Sequence, residues 1–276
     1  MSSVSSKPSH IEIRQAKVEY VRKGSGQPLL VLHGAKDLMG WQPYHEMLSA
    51  HFDVIVPSHP GFGRSELLSD CESIEDLAYF YLDFVKALRL ENLLLVGCDI
   101  GGWIAAEMAV RNTSAIAKLT LVGSVGIKVS DPLQRDILDL NVLPHEEQMT
   151  HLWYDPAAGQ TIMTNPYQMA DEELTVYLRN QETETMFTWK PFMYNPQLKK
   201  RLHRIDVPTA VIWGEADQVV SASYGEVFAD EIPDARLILI EKAGHLPHLE
   251  QPSRFVEELT GFAGSMAEAN KSQMQA

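Results

Sequence analysis

Residues 93–102 read Leu-Leu-Leu-Val-Gly97-Cys98-Asp99-Ile100-Gly101-Gly102, and a helix-forming stretch from Trp103 to Arg111 follows. An apolar strand that enters a glycine-bracketed turn and leaves as a helix has few solutions. The apex residue must take a strained backbone conformation, so its neighbours two positions away must be small. Gly97 and Gly101 meet that need for Asp99. Cys98 does not fit the apex, because its own neighbours two positions away are Val96 and Ile100. A carboxylate displayed on such a turn can attack carbon and form an ester with the protein. The plain structural alternative is a turn aspartate that hydrogen-bonds its own backbone.

The remaining strands frame this turn. Ile11–Ile13 and Val18–Val21 alternate apolar with polar residues, which predicts an antiparallel hairpin at a sheet edge. After the turn Gly24–Pro28, the strands become continuous apolar runs: Leu29–Leu32, Val54–Val56, Leu93–Val96, Leu119–Val122, Val211–Trp213 and Leu237–Ile240. Runs of this kind predict strands of a parallel sheet buried on both faces. Between them lie helical patterns, one opened by a Ser73 cap with Asp76 three residues on and continued by Leu77, Phe80, Tyr81, Phe84, Val85 and Leu88. Residues 1–10 read as a disordered polar segment, and the last helix, near Ser253–Phe262, as preceding a polar tail.

Other polar residues close these strands. Gly214-Glu215-Ala216-Asp217 ends the Val211 strand, Gly244-His245-Leu-Pro-His248 follows the Leu237 strand, and His33-Gly34-Ala35 ends the Leu29 strand. His59-Pro-Gly-Phe-Gly-Arg-Ser65 follows Val54–Val56. Nucleophile, acid and histidine thus occur in that chain order. The four motifs resemble the α/β-hydrolase superfamily from Ile11 to Phe262. The resemblance implies an α/β-hydrolase fold, with a mostly parallel twisted sheet of about eight strands flanked by helices. It implies that Asp99 is the nucleophile, His245 the general base and Asp217 the acid that orients the histidine. It assigns the oxyanion-hole amides to Ala35 and Ile100. His33 reads as structural, His248 as packing or hydrogen bonding, Glu215 as the lesser choice for the acid, and Lys36 with Asp37 as an exposed loop pair.

From about Ile127 to Arg204 no strand-like run occurs, and helical stretches are broken by Pro132, Pro144, Pro156, Pro166, Pro191 and Pro196. The superfamily keeps a helical cap after its sixth strand, so 127–204 is expected to be that cap and 1–126 with 205–276 the core domain. Trp153, Tyr154, Tyr167 and Tyr194 are the expected pocket-lining residues, suited to a hydrophobic small molecule.

An aspartate at the elbow resembles epoxide hydrolases and haloalkane dehalogenases. A dehalogenase needs donors for its halide, and Ile100 and Ala35 offer no side-chain donor where that branch usually has them. An epoxide hydrolase needs an acid for the ring oxygen, and Tyr154, Tyr167, Tyr177 and Tyr194 supply candidates. The His59–Ser65 segment, Trp213-Gly-x-x-Asp217 and Gly244-His-x-Pro-His also resemble carbon–carbon bond hydrolases and related esterases, which carry serine at the elbow. The expected activity is epoxide hydrolysis through an ester on Asp99. The alternatives are an esterase or carbon–carbon hydrolase, then a dehalogenase, then a catalytically silent ligand-binding relative.

Composition sets outer limits. Twenty-three Lys and Arg against 37 Asp and Glu give a formal charge of −14, which disfavours nucleic acid and anionic membrane surfaces as partners. Two cysteines, Cys71 and Cys98, imply no disulfide framework. No phosphate loop, dinucleotide fingerprint or zinc spacing occurs, so neither cofactor nor metal is expected. Without an apolar signal core or a stretch of ~20 apolar residues, the expectation is a cytoplasmic monomer or homodimer.

Overall fold

The computed structural model describes residues 8–273 except 38, 39 and 132. The apolar runs become eight strands in one sheet: β1 (Ser9–Ile13), β2 (Ala16–Lys23), β3 (Pro28–Leu32), β4 (Asp53–Pro57), β5 (Leu93–Cys98), β6 (Ile116–Val122), β7 (Thr209–Gly214) and β8 (Ala235–Ile240). Their spatial order is β1-β2-β4-β3-β5-β6-β7-β8. β1 and β2 form the expected antiparallel hairpin, β2 pairs β4 antiparallel, and every other neighbour is parallel. Six successive residues of β5 and six of β7 are buried, as a strand covered on both faces requires.

Expectations change toward the ends of the chain. β1 begins at Ser9, so Ser9 and His10 are paired to Tyr20 and Glu19 and are not part of a disordered segment; residues 1–7 lie outside the described residues. β8 is an edge strand with a single neighbour, and Leu239 is 44% exposed, so its apolar run does not mark a strand buried on both faces.

The helices are α1 (Pro43–Ser49), α2 (Ile74–Ala87), α3 (Ile100–Arg111), α4 (His145–Leu152), α5 (Pro156–Ile162), α6 (Asp171–Thr188), α7 (Ala222–Glu231), α8 (Pro247–Glu250) and α9 (Pro252–Gln273). In α2 the Ser73 hydroxyl accepts the Asp76 amide and donates to the Asp76 carboxylate. Leu77, Phe80, Tyr81, Phe84 and Val85 form its buried face. α9 runs well past Phe262, to Gln273, where a polar tail was expected. Pro132, expected as a helix breaker, is outside the described residues. Among those residues no helix is long and apolar enough to cross a membrane.

β3 leads to β4 on one side of the sheet, whereas β5 lies on the other side of β3. The crevice at the carboxyl ends of strands flanking such a reversal is where open α/β sheets bind ligands. α4, α5 and α6 all fall between β6 and β7. α6 is fastened to the loop that follows β4. Arg179 donates to the carbonyls of Gly63 and Ser65, Asn180 accepts the Gly63 amide, and Thr183 donates to the Gly61 carbonyl.

Candidate active site

Asp99 caps α3 at φ 49° and ψ −116°, a left-handed conformation that a non-glycine residue holds only when its surroundings enforce it. The enforcement is visible in the main chain. The Asp99 amide donates to the Val122 carbonyl, and the Asp99 carbonyl accepts the amides of Gly102 and Trp103. A side chain at Gly97 would put its Cβ 2.3 Å from the Gly101 carbonyl oxygen, and one at Gly101 would come within 2.1 Å of the Leu32 oxygen. Both glycines are therefore required by close approach of the strand, the turn and β3.

The structure brings the three expected side chains together. His245 Nδ1 lies 2.9 Å from Asp217 Oδ2, and its Nε2 lies 3.8 Å from Asp99 Oδ1. Asp217 is fixed by the amides of Val219 and Val220 on its other oxygen. Glu215, the competing acid, is exposed. Asp99 Oδ2 accepts the Ala35 amide at 2.9 Å, while Ile100 follows as the first residue of α3. Burial alone lowers the affinity of His245 for a proton, but the carboxylates of Asp217 and Asp99 outweigh it and hold the imidazole pKa well above its usual value.

Behind this group, His33 donates through Nδ1 to the Gly34 carbonyl and accepts the His59 amide on Nε2. His59 in turn hydrogen-bonds the His33 carbonyl and the Tyr81 hydroxyl. These bonds occupy both nitrogens of each ring, and burial lowers both pKa values.

Lys36 and Asp37 overturn the expectation of an exposed loop pair. Lys36 is buried and its ammonium donates to Glu184 Oε2 at 2.8 Å, Gln181 Oε1 at 2.6 Å and Asn141 Oδ1 at 2.7 Å. Burial raises the Glu184 pKa, with Lys36 opposing and Asp99 adding to the rise. Asp37 accepts the Gly34 amide at 2.7 Å and faces His248 Nε2 at 2.6 Å. Burial would raise its carboxyl, yet His248 and the Gly34 amide hold it well below the carboxylate range.

Asp37, Cys98 and His248 are the one group among the described residues with metal-ligand chemistry, their donor atoms lying within 4.8 Å of one another. Asp37 and His248 Nε2 pair with each other there, His248 Nδ1 is buried without a hydrogen-bond partner, and burial pushes the Cys98 thiol well up.

Lys36 borders two cavities. An outer one of about 510 Å³ is lined by Ala35, Lys36, Met149, Met163, Tyr177 and Gln181 among others. An inner chamber of about 20 Å³ is lined by Asp99, His245, Lys36, Glu184 and Asn141 with several apolar side chains. The four aromatic residues expected to line the pocket lie elsewhere. Trp153 is buried with its ring against Gly159, Tyr154 and Tyr167 are exposed, and Tyr194 borders neither cavity. Tyr177, Met149 and Met163 line the outer cavity in their place.

Fold and site together define a hydrolase. The chain belongs to the alpha/beta hydrolase fold family, whose model matches residues 27–252. It is 26% identical to the 2-hydroxy-6-oxo-6-(2'-aminophenyl)hexa-2,4-dienoic acid hydrolase of Metapseudomonas resinovorans over 92% of this chain and 90% of that one. It is 24% identical to the pimeloyl-[acyl-carrier protein] methyl ester esterase of Vibrio vulnificus, over 88% and 96% respectively. Among solved structures, a serine hydrolase of the bacterium Cycloclasticus zankles superposes with a TM-score of 0.77 at 20% identity, over 94% of this chain and 98% of that one. That similarity shows the shared fold.

Proposed function

We propose that this hydrolase opens an epoxide of a hydrophobic small molecule through a covalent ester on Asp99, with residues 127–204 acting as a cap over the site. The observation that carries this reading is the hydrogen bond from the Ala35 amide to Asp99 Oδ2. In an enzyme that attacks a carbonyl group, such an amide receives the substrate's oxygen as it gains charge. Here the nucleophile's own carboxylate occupies it. A carboxylate held by one oxygen presents the other, Oδ1, to a saturated electrophilic carbon.

The steps then follow from the geometry. Oδ1 attacks a ring carbon, the carbon–oxygen bond breaks, and the released oxygen takes a proton. Ester formation removes the Asp99 negative charge, one of the two that hold His245 protonated. The imidazole then gives up its proton more readily and can draw one from water, which attacks the ester carbonyl while the Ala35 amide binds the developing oxyanion. Collapse returns the Asp99 carboxylate and releases a diol.

The esterase or carbon–carbon hydrolase reading draws on the names of the relatives above. It lacks a free Ala35 amide for a substrate carbonyl. The dehalogenase reading lacks side-chain donors at Ala35 and Ile100. A silent binder has no use for the His245–Asp217 pair.

Intact-protein mass spectrometry of His245→Gln exposed to a panel of aryl and alkyl epoxides tests the proposal. A stable adduct on Asp99, absent from Asp99→Ala, is the expected result. A single wild-type turnover in labelled water that places label in the diol, with no adduct on the variant, would overturn it.

A further inference from the structure

None of the tyrosines 154, 167 and 194 borders the chamber that holds Asp99 and His245, and Tyr177 lines the outer cavity. The released ring oxygen nevertheless needs a proton. Besides the His245 imidazolium, which the second half-reaction uses, the only cation on that chamber among the described residues is the Lys36 ammonium, one residue beyond the Ala35 amide. We propose that Lys36 is the acid of the first half-reaction, positioned by Glu184, and this rests on the epoxide reading above.

The geometry suits the role. All three Lys36 N–H donors are engaged, one by the Glu184 carboxylate and two by neutral amide oxygens, those of Asn141 and Gln181. Asn141 borders the inner chamber, so a substrate oxygen there can replace its carbonyl without separating Lys36 from Glu184. As Asp99 Oδ1 bonds to carbon, the electron pair of the breaking carbon–oxygen bond stays on the oxygen. A charge-assisted hydrogen bond to an ammonium strengthens as that charge grows. The proton passes from Lys36 Nζ to the alkoxide, leaving a neutral amine. Ester hydrolysis later releases one proton to solvent, and Lys36 regains one from solvent, so each turnover consumes one epoxide and one water.

Lys36 also borders both cavities. A chamber of about 20 Å³ has room for one water-sized group. Only the reacting atoms fit there, with the substrate body in the outer cavity and Lys36 at the neck between them.

The test follows ester formation on Asp99 by mass spectrometry in the His245→Gln background, with two probes of one carbon skeleton. Styrene oxide needs a proton on its departing oxygen, whereas phenethyl tosylate releases a sulfonate that needs none. A Lys36→Met/Glu184→Met substitution removes acid and partner together, so no lone charge remains buried. Loss of a general acid should slow the styrene oxide reaction by roughly 10²–10⁴-fold while the tosylate reaction stays within about threefold. Undiminished reaction with styrene oxide, or equal slowing of both probes, would overturn the assignment while leaving the Asp99 ester intact. Should the double substitution unfold, Lys36→Arg is read by the same two probes. Its cation does not release its proton, so the epoxide reaction alone should fall. If His245→Gln alone forms no ester with any epoxide, the epoxide reading fails, and this assignment with it.

Discussion

The Asp37 carboxylate meets His248 Nε2 at 2.6 Å and joins the loop after β3 to the His245–α8 segment, which carry opposite sides of the site. Asp37 also holds the Gly34 amide at 2.7 Å, next to the Ala35 amide that contacts Asp99, while His248 lies three residues beyond His245. The pair therefore sets the spacing between the amide and the imidazole that flank Asp99. Asp37→Ala leaves the Gly34 amide and His248 Nε2 without their buried partner, at a cost of about 1–3 kcal/mol for each group. Urea unfolding should show a lower midpoint, and turnover should fall with it. Asp37→Asn, which keeps size and an acceptor, should lose less. A wild-type midpoint for Asp37→Ala would show that the two segments are held by other means.

Replacing Asp99 by serine should free the Ala35 amide for a substrate carbonyl. Asp99→Ser is expected to acquire a burst of acyl-enzyme with p-nitrophenyl acetate, and wild type to show none. One oxyanion donor is worth roughly 10²–10³-fold in rate, so hydrolysis by Asp99→Ser should exceed that by Asp99→Ala by about that factor. Equal, background-level rates for the two variants would mean that the amide is not the element that separates these chemistries.

Stability should depend on pH through the buried histidines. Burial lowers the pKa of His33 and His59, and that of His45 to about 3. Because an unfolded histidine titrates near pH 6.5, unfolding takes up protons at these three positions as the pH falls, and their stability contribution is lost. His245 behaves oppositely: its raised pKa stabilises the fold below pH 6.5, and that contribution is lost as the pH climbs through the folded value. Three lowered histidines against one raised give a net proton uptake on unfolding as the pH falls below about 6.5, and the sign reverses as the unfolded histidines lose their protons at higher pH. Each proton corresponds to about 1.4 kcal/mol per pH unit. Urea midpoints measured from pH 5.5 to 8.5 should therefore pass through a maximum near neutrality. A monotonic rise across that range would count against the elevated His245.

The strands and the elbow were legible because local sequence dictates them. Leu93–Val96 had to be buried on both faces, and only Gly97 and Gly101 could flank the apex. Asp217 and His245 were legible through chain order, since each ends a strand on the same edge of the sheet. β8 misled because an apolar run does not report whether a strand has one neighbour or two. The pocket was illegible for a different reason. Tyr154 sits in the bend between α4 and α5 and Tyr177 on α6, and the docking of α6 on the Gly61–Ser65 loop, which no local pattern reports, places Tyr177 on the cavity. Lys36 and Glu184 are 148 residues apart in sequence, and no local signal predicts that a loop lysine and a helix glutamate bury each other.

The inner chamber also sorts molecules by charge. Asp99, Asp139 and Glu184 border it and Asp217 stands behind His245, so four carboxylates face the cations of Lys36 and a protonated His245, with Arg135 beside Asp139. A compound bearing its own carboxylate is expected to meet those carboxylates in a setting where little water screens them. Neutral molecules would enter without that repulsion, so the walls are expected to disfavour acids before any shape is read.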